Sequence, residues 1–197
     1  MPDRRRRPVL VLPGFGASDT STVALRTHIG GLGHPVHRWR QGRNDGPTRE
    51  IIEGLSARFR HLSERHEQPI ALVGWSLGGV FAWALARRSP ELVSHVITLG
   101  SPLRRTGLSA GKLPVPTTSI WSRRDGIVSW QDSVIEEGDR AENIEVRSTH
   151  FTLGFDPLVL VAITDRLGQS DDGWRPFRPP RWLPGAFPVR AQPTPSA

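Results

Sequence analysis

The sequence predicts an α/β fold in which about six mostly parallel strands are flanked by helices. Short apolar, β-branched runs recur along the chain, helical segments follow most of them, and Gly or Pro separates the two kinds of segment. Strands that alternate with helices require right-handed crossovers, which place helices on both faces of a parallel sheet. At 197 residues, the chain is long enough for one domain with a sizeable core.

The first half of the chain contains two of these strand–helix units. The run VLVLPG (9–14) is typical of a buried strand that ends in a tight loop, and residues 18–33 then form a helix that glycines end. A second strand is expected over 34–40. A long amphipathic helix is expected over 47–66, with Pro47 in its first turn and apolar residues at helical spacing.

The second half continues the alternation. A strand over 70–76 leads into a helix that Pro90 ends, and a closing helix begins at Asp156 or Pro157. Three further strands are expected over 93–102, 117–126 and 143–150. The connection 103–116 is the longest candidate for an insertion, and it is too short for a large cap domain.

The chain is expected to divide into a domain over 1–168 and a C-terminal tail over 169–197. The tail is rich in proline, which precludes regular structure, and it also carries aromatic residues. Packing of these aromatic side chains onto the domain is the favoured interpretation, and contact with lipid is the alternative.

Composition excludes several functional classes. The formal net charge is +7, but the basic residues are scattered and no nucleic-acid-binding motif accompanies them, so no nucleic-acid partner is expected. The chain has no cysteine, which excludes disulfides, cysteine nucleophiles and Cys-ligated zinc. We expect no metal or organic cofactor, no integral membrane segment and a monomer. The N-terminal region lacks an apolar signal sequence, which predicts a cytoplasmic protein unless a leader has been removed.

The segment GWSLG (74–78) carries the strongest chemical signal. In a G-x-S-x-G pattern between strand and helix, the glycines permit a strained turn that exposes the serine hydroxyl above the sheet edge. An apolar strand precedes this segment and a helix follows it. We therefore predict Ser76 to be a nucleophile; the alternative is a structural serine at a helix start.

A serine nucleophile needs a base and a carboxylate that orients the base. Among seven histidines, His150 follows the end of a late strand and precedes the last helix. Asp125 directly follows the fifth strand, whereas Asp132 and Asp139 fall in or after the next short helix. We predict His150 as the base and Asp125 as its partner, although each could be an ordinary loop or turn residue.

Two backbone N–H groups are needed to bind the oxyanion. One is expected from Leu77, the residue after the nucleophile, and the other from Phe15 in the PGFG loop after the first strand. The alternative for this loop is an ordinary glycine turn.

The motifs VLVLPGFG, LVGWSLGG, SRRDGIV and STHF resemble those of the α/β-hydrolases, and most closely the small lidless bacterial triacylglycerol lipases. The resemblance covers residues 8–168. It implies a compact α/β-hydrolase fold, with Ser76, Asp125 and His150 as triad and Phe15 and Leu77 as oxyanion donors. The family usually has His-Gly where this chain has Pro13-Gly14, which affects the hydrogen bonding of the loop but not the triad.

An uncapped site of this kind would be a shallow groove open to bulky or lipid-like esters. Trp75, Leu108 and Trp130 are predicted to line it, although Trp75 could belong to the core and Trp130 could pack against a helix. The expected activity is hydrolysis of a small-molecule or lipid ester through an acyl-enzyme. The alternatives are an acyltransferase or thioesterase that acts on a carrier-bound acyl group, and a non-catalytic binding protein that kept the fold.

Overall fold

The computed structural model describes residues 6–107, 111–169 and 173–188 and contains one sheet of six parallel strands. The strand order is β2-β1-β3-β4-β5-β6, and each neighbouring pair is parallel. The strands are β1 (Val9–Leu12), β2 (Val36–Arg38), β3 (Ile70–Trp75), β4 (Val93–Leu99), β5 (Thr117–Ser122) and β6 (Ala141–Val146). The predicted fold class is confirmed.

Five α-helices within the described ranges connect or follow these strands. They are α1 (Val23–Gly31), α2 (Arg49–His66), α3 (Leu77–Arg88), α4 (Trp130–Ser133) and α5 (Pro157–Leu167). The start of α2 lies two residues after Pro47, because the Thr48 hydroxyl accepts the backbone N–H of Ile51 at 3.3 Å and caps the helix. Asp156 caps α5 in the same way, and Pro157 occupies its first position.

The core forms two layers, one on each face of the sheet. Alternate residues of β1 show the division: Leu10 and Leu12 pack with α2 and α3, whereas Val9 and Val11 pack with α1 and α5. The connection 100–116 between β4 and β5 is too short for a separate cap, and the described residues place no large cap domain above the edge where the strands end. Among the described residues, no helix combines the length and apolar character that crossing a membrane requires.

The last three strands end earlier than the sequence predicts. The chain leaves β4 at Gly100, which has a φ of 51°, and leaves β5 before Asp125, whose carboxylate accepts the N–H groups of the following turn. The last strand begins at Ala141 rather than at 143 and ends at Val146, four residues before His150. Asp125 and His150 therefore lie on loops at the carboxyl edge of the sheet.

The described part of the tail, residues 173–188, packs against β6 and α5. Phe177 and Phe187 join the apolar layer on the α5 face, with their ring centroids 4.9 Å apart. The Phe177 N–H also donates to the buried carboxylate of Glu142 at 2.7 Å. These contacts support packing of the tail aromatics on the domain, while the division into 1–168 and 169–197 stays a prediction.

Candidate active site

Ser76 occupies a strained position between β3 and α3. Its φ and ψ are 54° and −123°, a region that residues with a side chain rarely adopt and that costs on the order of 1–3 kcal/mol. The backbone holds the turn from both sides: the Ser76 N–H donates to Leu99 O at 2.8 Å, and its carbonyl accepts the Gly79 N–H at 3.0 Å. This is the geometry of a nucleophile elbow.

The glycines of the GWSLG segment permit this turn because the backbone packs against itself there. A Cβ at Gly74 would overlap the backbone of Gly78 and Gly79, and a Cβ at Gly78 would overlap the carbonyl of Leu12 in β1. Either side chain would push the start of α3 away from the sheet. The glycine pattern is therefore a requirement of close strand–helix packing.

Asp125 and His150 are joined on the loops after β5 and β6. His150 Nδ1 lies 2.8 Å from Asp125 Oδ2, and both residues are buried, at 6% and 5% exposure. The other carboxylate oxygen accepts the N–H groups of Ile127 at 3.0 Å and Val128 at 2.6 Å. With Nδ1–H donated to the carboxylate, the neutral imidazole has Nε2 free to accept a proton.

Trp75 connects the serine turn to the histidine loop. Its Nε1–H donates to the carbonyl oxygen of His150 at 3.1 Å, and the two ring centroids are 6.5 Å apart. Gly154 lies against the Trp75 ring, where a Cβ would come within 2.6 Å of Cζ3. Trp75 is half-buried in this contact, and its predicted role in substrate binding stays a prediction.

The serine side chain itself is uncommitted. Over residues 6–107, 111–169 and 173–188, no hydrogen bond to Ser76 Oγ is formed, and the hydroxyl is not sealed from solvent. Contacts between a nucleophile and its base are often loose before substrate binds. The structure therefore places Ser76, Asp125 and His150 at one edge, with the hydrogen bond of the Asp–His pair already formed.

Gly100 is a site residue that the sequence analysis missed. A Cβ there would lie 2.6 Å from Asp125 Oδ2, 2.7 Å from Leu153 Cδ1 and 3.3 Å from His150 Nδ1. Its positive φ favours glycine as well. The available signal was a glycine directly after a buried strand that neighbours the serine strand.

The predicted oxyanion donors lie beside the serine. Gly14 packs against Ser76, with 3.2 Å between an added Cβ and Ser76 Cβ, and Phe15 follows it. Leu77 is the first residue of α3, where an N–H has no partner within the helix. Within the described ranges neither the Phe15 nor the Leu77 N–H donates a hydrogen bond. Both groups are thus available to an oxyanion.

Asn44, which the sequence analysis also missed, anchors the loop that carries Phe15. Its side chain is fully buried, and its Nδ2 donates to Pro13 O at 2.8 Å. Its backbone N–H donates to Ala17 O and its carbonyl accepts the Gly16 N–H, both at 2.8 Å. The surrounding segment GRNDG (42–46) has the composition of an ordinary turn. The neighbouring sequence therefore does not indicate that Asn44 binds a backbone carbonyl 31 residues away.

Two predicted groove residues remain, Trp130 in the structure and Leu108 outside the described residues. Trp130 stacks on Trp121, with ring centroids 5.2 Å apart, and the Arg123 guanidinium lies 4.4 Å from the Trp130 ring centroid. Trp130 begins α4 and packs this helix against β5, and substrate contact by Trp130 stays a prediction. Leu108 lies outside the described residues. Within those residues, no group of three or more His, Asp or Glu side chains is arranged to hold a metal ion.

Comparison with known protein families gives a match to the alpha/beta hydrolase fold over residues 9–148, which is most of the chain. The chain belongs to the alpha/beta hydrolase fold family. The matched range contains the serine turn, the loop that carries Phe15, and Asp125, and it ends two residues before His150.

Solved structures of this fold superpose on most of the chain at low sequence identity. Lipase B of Aspergillus fumigatus is 17% identical with a TM-score of 0.68, and the match covers 85% of this chain and 54% of that one. The lipase BlEst2 of Bacillus licheniformis is 14% identical with a TM-score of 0.65, covering 85% and 94%. A structure from work on LipS and LipT, two metagenome-derived lipolytic enzymes, is 18% identical with a TM-score of 0.64, and the match covers 82% of this chain and 93% of that one. At these identities the likeness is one of fold.

One relative in sequence is a much larger protein. The atrochrysone carboxylic acid synthase PKS4 of Calonarius odorifer is 26% identical over 134 residues. The match covers 62% of this chain and only 8% of that protein. The chain therefore corresponds to a small part of that synthase.

Proposed function

We propose that the protein is a serine hydrolase that cleaves carboxylic esters through an acyl-enzyme. The observation that carries the proposal is the buried His150–Asp125 hydrogen bond at the same sheet edge as the strained Ser76 turn. A serine in a strained elbow presents its hydroxyl to solvent, and a histidine held by a carboxylate can take the hydroxyl proton.

In the proposed reaction, Ser76 Oγ attacks the ester carbonyl while His150 Nε2 accepts its proton. The carbonyl oxygen becomes an oxyanion, which the N–H groups of Phe15 and Leu77 stabilise. The C–O bond to the alcohol then breaks, and His150 gives the proton to the departing alkoxide oxygen. Water repeats the sequence on the acyl-enzyme, which releases the acid and regenerates Ser76. Asp125 keeps the imidazole oriented and stabilises its charged form.

Bulky or lipid-like esters are the favoured substrates, because no large cap domain among the described residues covers the sheet edge. Hydrolysis of p-nitrophenyl esters over a range of acyl lengths tests the proposal. Ser76→Ala should lower kcat by at least about 10³-fold. Equal rates for wild type and Ser76→Ala would refute the assignment, and the preferred chain length would distinguish lipase from esterase.

The similarity to a segment of a polyketide synthase supports a second candidate, transfer or hydrolysis of a carrier-bound acyl group. The acyl-enzyme would be the same, but the leaving group would be a thiol. Comparing acyl N-acetylcysteamine thioesters with matched oxygen esters separates the candidates. A kcat/KM that favours the thioester, or acyl transfer to added alcohol or amine in preference to water, would select the second candidate.

A further inference from the structure

Four large apolar side chains stand exposed around the mouth of the candidate active site. They are Phe15 at 68%, Ile127 at 60%, Phe151 at 69% and Phe155 at 54% exposure. Three loops supply them, those after β1, β5 and β6, and each loop also carries a residue of the site. The Phe151 ring lies 6.0 Å from the His150 ring, centroid to centroid. Exposed apolar groups gathered at one place mark an interaction surface.

Exposed arginines surround the same edge. Within the described ranges five of them have no ion pair, and they follow the ends of four strands: Arg40, Arg104, Arg105, Arg124 and Arg147. The first follows β2 and the last follows β6. These two strands are the outer strands of the sheet. Six strands span about 24 Å at roughly 4.8 Å per spacing, so these arginines are distributed over the width of the mouth, with none after β1 or β3.

Two carboxylates at this edge pair with other arginines, and the rest keep their negative charge. Apart from Glu50 in the first turn of α2, these remaining carboxylates are buried or half-buried, whereas the five arginines are exposed. Asp45 pairs with Arg43 and Glu145 with Arg123. The remaining engaged carboxylates bind backbone N–H groups, His150 or Ser148: Asp19, Asp125 and Asp156. Asp132 of α4 is half-buried and makes no ion pair with the described residues. The surface is therefore apolar at its centre and cationic around it.

We propose that this edge docks on an anionic lipid surface, from which the site takes its ester. The proposal rests on the proposed function, because the docking surface surrounds the same serine. Apolar side chains would enter the acyl boundary while the arginines bind anionic headgroups, and the two contributions add in interfacial binding. An ester held in that layer would then face Ser76 directly.

The arrangement favours a lipid surface over an acidic carrier protein. The exposed apolar side chains come from both sides of the serine, on the β1 loop and on the β5 and β6 loops. A planar layer contacts all of them at once. A carrier that delivers one acyl chain on a prosthetic arm would dock beside the mouth and leave the opposite side exposed.

Vesicle co-sedimentation of the full-length Ser76→Ala protein tests the docking without hydrolysis. We expect binding to phosphatidylcholine vesicles that contain phosphatidylglycerol, at least about tenfold weaker binding to phosphatidylcholine alone, and loss of binding at high salt. Replacing Arg124 and Arg147 by Gln should weaken binding by about 25-fold, because each arginine near an anionic surface contributes roughly fivefold. Phe151→Ser with Phe155→Ser should weaken it by at least about tenfold.

Arg65→Gln with Arg88→Gln is the matched control. Both arginines are exposed, and they end α2 and α3 at the opposite edge, where β3 and β4 begin. This double variant removes the same charge, and its binding should stay within about twofold of the parent protein.

Three results would overturn the proposal. They are no binding to any vesicle, an equal loss in the control variant, and capture of a purified acidic acyl-carrier protein in place of vesicles. Wild-type hydrolysis of a short water-soluble ester is measured separately. Activity on that ester without vesicle binding would refute the docking alone, whereas vesicle binding without activity would refute the proposed function.

Discussion

His150 and Asp125 are joined twice: His150 Nδ1 lies 2.8 Å from Asp125 Oδ2, and the His150 N–H donates to the Asp125 carbonyl oxygen at 2.9 Å. The backbone hydrogen bond joins the loop after β6 to the loop after β5. The backbone positions that carry the two side chains are therefore held close together. The orientation of the imidazole is consequently a property of the paired loops as well as of the carboxylate.

Asp125→Asn tests the role of the carboxylate in this pair. An amide at this position offers N–H to His150 Nδ1 and favours the tautomer whose Nε2 carries the proton, so the histidine could no longer accept one from serine. We expect kcat on a p-nitrophenyl ester to fall by about 10³- to 10⁴-fold with little change in KM. Asp132→Asn is the control. A loss of activity that is as large in the control would contradict the assignment of Asp125.

Gly100→Ala tests whether the site needs the space that this glycine leaves. The added methyl group would press on Asp125 Oδ2 and on Leu153, so we expect kcat/KM to fall by at least about tenfold, because small displacements of a positioned group are costly. Gly107→Ala is matched: its φ is 66°, and no atom of the described residues lies within 4 Å of an added Cβ. Both variants carry the strain of a positive φ, but the control should keep its activity. Equal kinetic losses would show that backbone strain alone is responsible.

Periodicity in the sequence predicts the alternation of strands and helices because burial of both sheet faces demands long apolar strands and amphipathic helices. The serine turn is equally local, since its glycines lie within five residues. Gly100 and Asn44 escaped the sequence analysis for the opposite reason. Each acts on residues at least 25 positions away, and a single sequence does not show which distant residues a loop residue contacts.

The strand ends were predicted too late for a related reason. Apolar and β-branched residues continue past the last ladder hydrogen bond, but turn geometry ends each strand. After β5, the Asp125 carboxylate accepts the backbone N–H groups of Ile127 and Val128, and these hydrogen bonds fix the turn that follows the strand. The sequence analysis gives Asp125 as either the partner of the histidine or an ordinary turn residue, whereas its two carboxylate oxygens bind the turn and His150 respectively.

Asn44→Ala tests the clamp on the loop that carries Phe15. Without the bond from Nδ2 to Pro13 O, the loop loses one of its fixed points, and the Phe15 N–H should no longer aim steadily at the oxyanion. We expect kcat to fall by about 10- to 100-fold at nearly constant KM, which is less than the loss of a whole oxyanion donor. Steady-state kinetics on a soluble ester measure both constants.

Asn143→Ala is the matched control for this variant. Asn143 on β6 also bridges backbone groups, with bonds of 2.9 Å to both the N–H and the carbonyl of Ile135. Both variants should lose similar stability in urea denaturation, on the order of 1–3 kcal/mol, but only Asn44→Ala should lose kcat. A proportional loss of kcat in both variants would mean that Asn44 is merely structural.

Phe187→Ala tests whether the tail stabilises the domain. Phe187 is 6% exposed and packs with Phe177 against the apolar layer of α5, so its truncation should cost about 3 kcal/mol in the free energy of unfolding. Trp182→Ala, at a tail residue that is 71% exposed, should change that energy by less than about 0.5 kcal/mol. If the tail contributes nothing to the stability of the domain, the Phe187→Ala and Trp182→Ala proteins will give indistinguishable denaturation curves.

His95 should make stability fall in acid. Burial lowers the pKa of His95 to about 3, and the charges of Arg7, Arg166 and Arg140 act in the same direction. The unfolded chain has the ordinary histidine value of 6.5 and therefore binds the proton first. The stability contributed by neutral His95 is fully present above about pH 6.5 and is lost as the pH falls toward 3, by at most about 1.4 kcal/mol per pH unit.

His95→Gln removes this proton linkage. Urea denaturation between pH 7 and pH 4 should show a smaller decrease in the free energy of unfolding for His95→Gln than for wild type, because the glutamine has no charge to gain. The other histidines with lowered pKa values, which are His34, His37 and His66, are present in both proteins and cancel in the difference. His61→Gln on the exposed side of α2 controls for the substitution itself. The same pH slope in wild type and His95→Gln would show that His95 does not titrate on unfolding.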